Sequence, residues 1–269
     1  MKVCAIYSQY NQNETQPVAK AYLLYFEQAG KYYIEISADT EPDDLPLMLE
    51  LLAKKGHDTI DSIWSERWVE SRIVPRERQN LGQILRENHL KNYDSYRLLL
   101  LSRGICSQDD FYVEELPEDD LPMLVQERMQ SNIKDILVAN ERLIIFFHNH
   151  VTKLYQMNDL PIDHDAIDYV KKIFEHVRIE AGGYGIEWNK VIDCSAVELG
   201  KRGIELPLTH EDFCHFATQN VLNTAEVCEC MECTRQNADD LVKRDKLHPI
   251  KTAAKNRMFL KSEVESRLW

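Results

Sequence analysis

Two six-residue runs near the start constrain this chain most. Ala21-Tyr22-Leu23-Leu24-Tyr25-Phe26 and Lys31-Tyr32-Tyr33-Ile34-Glu35-Ile36 are rich in aromatic and β-branched residues, and only Glu27-Gln28-Ala29-Gly30 separates them. Side chains of that kind suit a pleated surface, and a four-residue connection ending in Gly has the length of a hairpin loop. The N-terminal part is therefore expected to contain a hairpin. Residues 1 to about 18 are polar and aperiodic, which predicts a loose leader with one short strand at Val3–Tyr7. After an acidic turn at Asp39–Asp44, helical periods occur at Leu45–Lys55, about Thr59–Arg72, Asn80–His89 and about Asp94–Leu101, with Pro75 as a breaker and Gly104 as a stop. Asp109–Val113 reads as a short strand or turn. Residues 1–116 are expected to form a small α+β domain that binds a partner or a signal.

Pro117-Glu118-Asp119-Asp120-Leu121-Pro122 is a charged, proline-bounded junction. Beyond it, Ile133, Ile136, Leu137, Leu143, Ile144, Phe147, Val151 and Leu154 recur at spacings that predict one long helix over about 131–157. A second helix is expected over about Asp165–Ala181, ending at Gly182-Gly183, and a third element over Trp188–Leu199. Thr209-x-x-Asp212 resembles a helix start opening Phe213–Val221. Residues 117–218 are expected to form a helical middle domain.

Charge and composition bound the function classes. With 44% hydrophobic and 29% charged residues among 269, a folded core is expected. The longest apolar run, Leu143–Phe147, is far too short for a membrane helix, and the N-terminus lacks the apolar stretch of a secretory signal. Seven Cys, an odd number, are read as reduced thiols, so the expected location is cytoplasmic. The net charge of −13 argues against a surface that coats nucleic acid everywhere, but charge is unevenly placed. Residues 234–262 hold eight Lys or Arg against Asp239, Asp240 and Asp245, so the acidic total conceals a basic C-terminal segment.

That segment carries the informative pattern. Thr224 can cap a short helix that buries Val227, Cys228 and Met231, and Glu232-Cys233 makes a turn. Thr234 then caps a second helix with Ala238, Leu241 and Val242 inward. Gln236, Asp240 and Lys243 point away, with Arg235 and Asp239 on the flank. Two short helices joined by a tight turn make a helix-turn-helix.

Thr224-Ala225-Glu226-Val227, Cys233-Thr234-Arg235-Gln236-Asn237 and Leu241-Val242-Lys243-Arg244-Asp245-Lys246-Leu247 resemble the MerR-type and phage-excisionase winged helix-turn-helix. Lys255-Asn256-Arg257-Met258-Phe259-Leu260-Lys261-Ser262-Glu263-Val264 is similar to that family's wing strand and closing helix. The resemblance covers about 220–269 and implies a DNA-binding domain over 219–269, its second helix in the major groove and its wing along the backbone or minor groove. It implies that Thr234 presents helix N-terminal amides to a phosphate, and that Arg235, Gln236 and Asn237 lie nearest the bases. Lys243, Lys251, Lys255 and Arg257 would neutralise phosphates. Asp245 stands where the family commonly has Gly, so the turn there must take an Asp-tolerant conformation. Asp239 and Asp240 put two acids on the reading helix.

The expected fold class is accordingly mainly α with some β: a hairpin-plus-helices unit, a helical middle layer and a C-terminal winged helix-turn-helix. The expected function is DNA-binding regulation, as a transcription regulator or excisionase-like accessory factor. Double-stranded DNA is the expected partner, with a homodimer on paired half-sites and a further protein partner through residues 1–218. No catalytic constellation and no cofactor motif is found, so no enzyme is expected. Gly182-Gly183-Tyr184-Gly185 follows a helix rather than opening one, unlike a phosphate loop.

Other patterns compete. Cys228, Cys230 and Cys233 could ligate zinc with Cys214, His215 or His248, although the register reads them as small core residues. An acidic module that docks on a basic protein is a further alternative. His148-Asn149-His150 is read as helix histidines, and Trp64 and Trp68 as a core seam. Arg67, Arg72, Arg76 and Arg78 are read as solvated side chains pairing with Glu66, Glu70 and Glu77. Arg78-Gln79-Asn80 echoes Arg235-Gln236-Asn237, which raises a degenerate second helix-turn-helix as a further possibility.

Overall fold

The computed structural model describes residues 1–9, 17–253 and 256–265. The chain forms two compact units, residues 1–133 with 161–201 and residues 134–160 with 202–269.

In the first unit, β1 (Lys2–Ser8), β2 (Ala21–Phe26), β3 (Lys31–Ile36), β4 (Thr59–Ile60) and β5 (Phe111–Glu115) form an antiparallel sheet in the order β4-β3-β2-β1-β5. The expected hairpin is its centre, with Ala21 opposite Ile36 and Phe26 opposite Lys31. Strand alternation sends Cys4, Ile6, Leu23 and Ile34 to one face. There α1 (Leu47–Ala53), α2 (Ser62–Glu70) and α4 (Ser95–Ser102) cover them with Leu49, Trp68, Val69 and Leu99. Val3, Leu24 and Tyr33 fill the other face against Val125 of α5 (Met123–Ser131) and Tyr184. Burial on both faces explains why these strands read as continuous apolar runs.

That burial corrects the expected loose leader over Lys2–Ser8, while its residues 10–16 lie outside the described residues. Val3–Ile6 are almost wholly buried, and β1 pairs with both β2 and β5. The short strand expected at Val3–Tyr7 is therefore an interior strand. The helical period at 59–72 also splits: Thr59 and Ile60 join the sheet, and Asp61 caps α2 by accepting from the Trp64 amide at 2.9 Å. A shorter helix, α3 (Leu81–Glu87), starts after Arg78-Gln79-Asn80, so that tripeptide precedes its helix whereas Arg235-Gln236-Asn237 opens one.

Of the basic cluster, Arg67, Arg76 and Arg78 are exposed as expected from sequence, but among the described residues none pairs with Glu66, Glu70 or Glu77, and Arg72 is buried. Arg72 is 5% exposed, lies 4.1 Å from the Trp68 ring centre and reaches both oxygens of Asp109 and the Gly104 carbonyl. Arg67 lies over Trp64 and Arg76 over Tyr93. Trp68 belongs to the core, while Trp64 stays 37% exposed beneath its arginine.

The helical middle is overturned, and with it the mainly α class. The described residues are 38% helix and 26% strand, with four antiparallel sheets among them, a mixed α+β fold. In place of one helix over 131–157 run β6 (Ile133–Ala139), β7 (Arg142–Phe147) and β8 (Thr152–Gln156), joined by β12 (Ile204–Leu206) in the order β12-β8-β7-β6. Leu143, Ile145, Phe146 and Phe147 are buried in β7, with only Ile144 between them half-buried. The β-branched and aromatic content of Leu143–Phe147 decides for strand. Asn140 and His150 take left-handed φ of 56° and 65° in the two connections, so His148-Asn149-His150 is a turn and not part of a helix.

The expected 165–181 helix is α6 (His164–Lys172) and then a short 3-10 turn. The segment after it forms β9 (Arg178–Ile179), β10 (Gly185–Trp188) and β11 (Ile192–Ser195), a three-stranded sheet followed by α7 (Ala196–Gly200). Gly183 is needed between them: it has φ +73°, and a Cβ there would lie 2.1 Å from the Ile133 carbonyl oxygen. The glycine run serves this close approach.

Candidate nucleic-acid interface

The last elements of the second unit are α8 (His210–Asn220), β13 (Val221–Asn223), α9 (Thr224–Cys230), α10 (Arg235–Lys243), β14 (Lys251–Ala253), β15 (Asn256–Leu260) and α11 (Lys261–Glu265). The expected start of α8 holds in detail, with a reciprocal box between Thr209 and Asp212. The cap of α9 is one residue earlier than expected. Asn223 Oδ1 accepts from the amides of Ala225 at 2.8 Å and Glu226 at 3.2 Å, and Glu226 accepts from the Asn223 amide at 2.7 Å. An Asn-x-x-Glu box satisfies two orphan donors at once, which Thr224 could not do from inside the first turn.

Both short helices end in the same way. The Cys233 amide donates to the Cys228 carbonyl and the Glu232 amide to Glu229, around Glu232 at φ 49°. The Lys246 amide donates to Leu241 and the Asp245 amide to Val242, around Asp245 at φ 56°. These are two Schellman ends with a left-handed residue that is not Gly. The Asp-tolerant conformation expected at Asp245 is a left-handed one.

The core behind this region is Val227, Ala238, Leu247, Phe259 and Val264, packed by Cys228, Cys230, Met231, Cys233, Leu241 and Val242. It joins the helices to an antiparallel sheet in the order β13-β15-β14, with Leu222 opposite Phe259 and Thr252 opposite Arg257. Among the described residues, no three His, Cys, Asp or Glu side chains group closely enough to hold a metal ion. The three cysteines expected as zinc candidates are half-buried in this apolar cluster.

Thr234 is the N-cap of α10, and its hydroxyl accepts from the Asn237 amide at 3.3 Å. Thr234, Arg235, Gln236 and Asn237 are all exposed, while Ala238 behind them is buried. No carboxylate occupies the first turn, so the positive end of the helix is not neutralised from within it. Lys243 is exposed and lies 3.6 Å from Asp240. Lys251 on β14 is exposed, and among the described residues neither it nor Arg235 forms an ion pair. Arg257 on β15 is half-buried and bonded to Asp239 of α10. Lys255 lies outside the described residues.

Sequence reasoning missed two groupings. His248 joins the end of α10 to α11. Its amide and its Nδ1 both reach Glu263, at 3.1 and 2.8 Å, and its Nε2 lies 3.2 Å from Asp245. Glu263 first, with help from Asp245, raises the imidazole pKa above its ordinary value of 6.5. The only local signal was the Asp245-x-x-His248 spacing; Glu263 is distant in sequence.

Asp135 of β6 meets His210 and Cys214 of α8, with His210 Nε2 3.0 Å from Asp135. Cys214 Sγ lies 3.7 Å from Nδ1 and 3.9 Å from Nε2. Nearly equal distances put the sulfur over the ring face and not along a nitrogen lone pair. With Phe146 edge-on to the imidazole at 5.2 Å, the grouping anchors α8 on its sheet.

No protein-family model matches the chain, and no curated protein or solved structure proved similar to it. No helix among the described residues is long and apolar enough to cross a membrane.

Proposed function

We propose that the C-terminal segment binds duplex DNA, with α10 in the major groove and the β14–β15 hairpin against the backbone. The observation that carries this reading is the first turn of α10. Arg235, Gln236 and Asn237 are exposed together on a helix held from behind by Ala238 and capped by Thr234. Arg and Gln match guanine and adenine edges in the major groove. Exposed Lys251 and Lys243 supply phosphate contacts, which position the helix without reading sequence. One short reading helix gives limited specificity, so a dimer on two half-sites completes the proposal.

The test is binding of the full chain to a pool of duplex DNA over a salt series. Salt-sensitive binding with enrichment of a sequence is expected. Absence of binding to every sequence at low ionic strength would falsify the reading. A second reading is an acidic module that docks on a basic protein. The net charge of −13 and the pairing of Arg257 with Asp239 favour it. Binding of a protein partner by a chain that ignores DNA distinguishes the two.

A further inference from the structure

Cys228 and Cys233 face each other across the turn that orients α10. The Schellman end of α9 fixes this: Cys228 supplies the carbonyl three residues before the helix cap Met231, and Cys233 supplies the amide that closes on it at 2.9 Å. In this motif, those two positions bring their side chains together, usually as an apolar contact. Here both are cysteines. Both side chains pack against the same apolar cluster, and burial first, then the nearby Cys228 thiol, pushes the Cys233 thiol up. Both are half-buried at the rim of the core, so neither is sealed from solvent. Cys230 lies between them in sequence but outside the motif's closing pair.

We propose that Cys228 and Cys233 are a redox modification site, a dithiol that closes to a disulfide and thereby sets the position of the reading helix. The oxidant is a small-molecule disulfide. One cysteine, as thiolate, attacks a sulfur of that molecule, breaks its S–S bond and expels one thiolate. The second cysteine then attacks the mixed disulfide, forms the Cys228–Cys233 bond and expels the second thiolate. Two S–H bonds are lost and one S–S bond forms. The oxidant gains the electron pair and both protons as two small thiols.

Closure must move the turn. Two unbonded thiols approach no closer than van der Waals contact, and a disulfide holds its sulfurs about 2.05 Å apart. Cys228 is embedded in α9, so Cys233 moves. Cys233 directly precedes Thr234, whose cap bond to the Asn237 amide is already long at 3.3 Å. Oxidation therefore strips the cap and turns Arg235, Gln236 and Asn237 away from their aim. The consequence for DNA rests on the proposed function; the chemistry of the thiol pair does not.

The experiment treats the full chain with oxidised glutathione and maps the product by peptide mass. The expected product is a Cys228–Cys233 cross-link, with faster amide exchange at the start of α10. Duplex DNA affinity should fall about tenfold, roughly 1.4 kcal/mol, and return with dithiothreitol. Cys228→Ser and Cys233→Ser should stop at a mixed disulfide with glutathione and form no internal cross-link, while Cys230→Ser should respond like the parent. Two independent single variants guard against one failing to fold. A chain that keeps both thiols, a cross-link involving Cys230 instead, or a Cys228–Cys233 cross-link with unchanged exchange in α10 overturns the proposal. If the reduced chain binds no DNA, the function is wrong, and the cross-link and the exchange data still decide this inference.

Discussion

Arg257 on β15 donates a hydrogen bond to Asp239 on α10, tying the hairpin strand to the flank of the exposed helix. The pair is partly exposed, with side-chain exposures of 35% and 48%, so its contribution to stability is about 0–1 kcal/mol. On the proposed DNA-binding reading its effect is larger: it would engage a cation otherwise free to face phosphate and keep an anion beside α10. Asp239→Asn should leave folding almost unchanged, raise affinity for all duplexes alike, and steepen the salt dependence by about one phosphate contact. Filter or anisotropy titrations over a salt series read this directly; unchanged slope and affinity count against the interface.

On the same proposal, Arg235 as a base contact and Lys251 as a phosphate contact should separate cleanly. Arg235→Ala should cost about 1–3 kcal/mol on the preferred sequence and little on others, flattening the preference. Lys251→Ala should weaken every sequence by a similar factor and lower the salt slope by about one. The same loss on all sequences for Arg235→Ala would take it off the bases.

The His248 junction carries a pH dependence of definite sign. Its folded pKa is raised above 6.5, first by the hydrogen bond to Glu263. The stability it contributes is fully present below 6.5 and is lost as pH rises through the folded pKa. His248→Gln should remove that part of the pH profile in thermal unfolding. Because the side chain is exposed, the effect is expected to be small and sensitive to salt.

Glu180 in the first unit should give a larger effect. Burial, then Asp193 and Glu187, raise its carboxyl from 4.5 to about 7, and Tyr33 donates to it at 3.4 Å. Between those values the folded chain holds a proton that the unfolded chain releases, so stability falls as pH rises from 4.5 to about 7. A tenfold change in proton affinity is worth about 1.4 kcal/mol, so the ionised form costs on the order of a few kcal/mol. Glu180→Gln should flatten this fall and be more stable than the parent at pH above about 7, read by denaturant unfolding at several pH values.

Legibility from sequence tracked how local the cause was. The hairpin at 21–36 and the caps at Thr209 and Thr234 were readable, because a few neighbouring residues decide them. α9 and α10 fall where two short helices were read, whereas β14 and its pairing with β15 were not read. The middle failed because Ile133, Ile136, Leu137, Leu143 and Ile144 satisfy helical spacing. What settles it is pairing between β7 and β8 and, across fifty residues, between β8 and β12, with Leu154 opposite Ile204. In the candidate interface the exposed Arg235–Asn237 turn was legible, whereas the Arg257–Asp239 and His248–Glu263 bonds were not. Both need the tertiary return of a later segment.

The two left-handed helix ends offer a contrast that tests the turn itself. Glu232 and Asp245 sit at φ 49° and 56°, where a Cβ is crowded and Gly is not. Glu232→Gly should stabilise the chain by about 0.5–1 kcal/mol, the relief of left-handed strain less the extra freedom Gly gives the unfolded chain. Asp245→Gly relieves less, because Asp tolerates this region better, and it also removes one partner of His248. Its gain should therefore appear mainly at pH well above 6.5, where the imidazole is uncharged, and shrink as His248 protonates. Equal gains for both substitutions at every pH would mean that Asp245 does not hold His248 in solution. A loss for Glu232→Gly would mean that its side chain contributes more to the α9–α10 turn than its backbone strain removes.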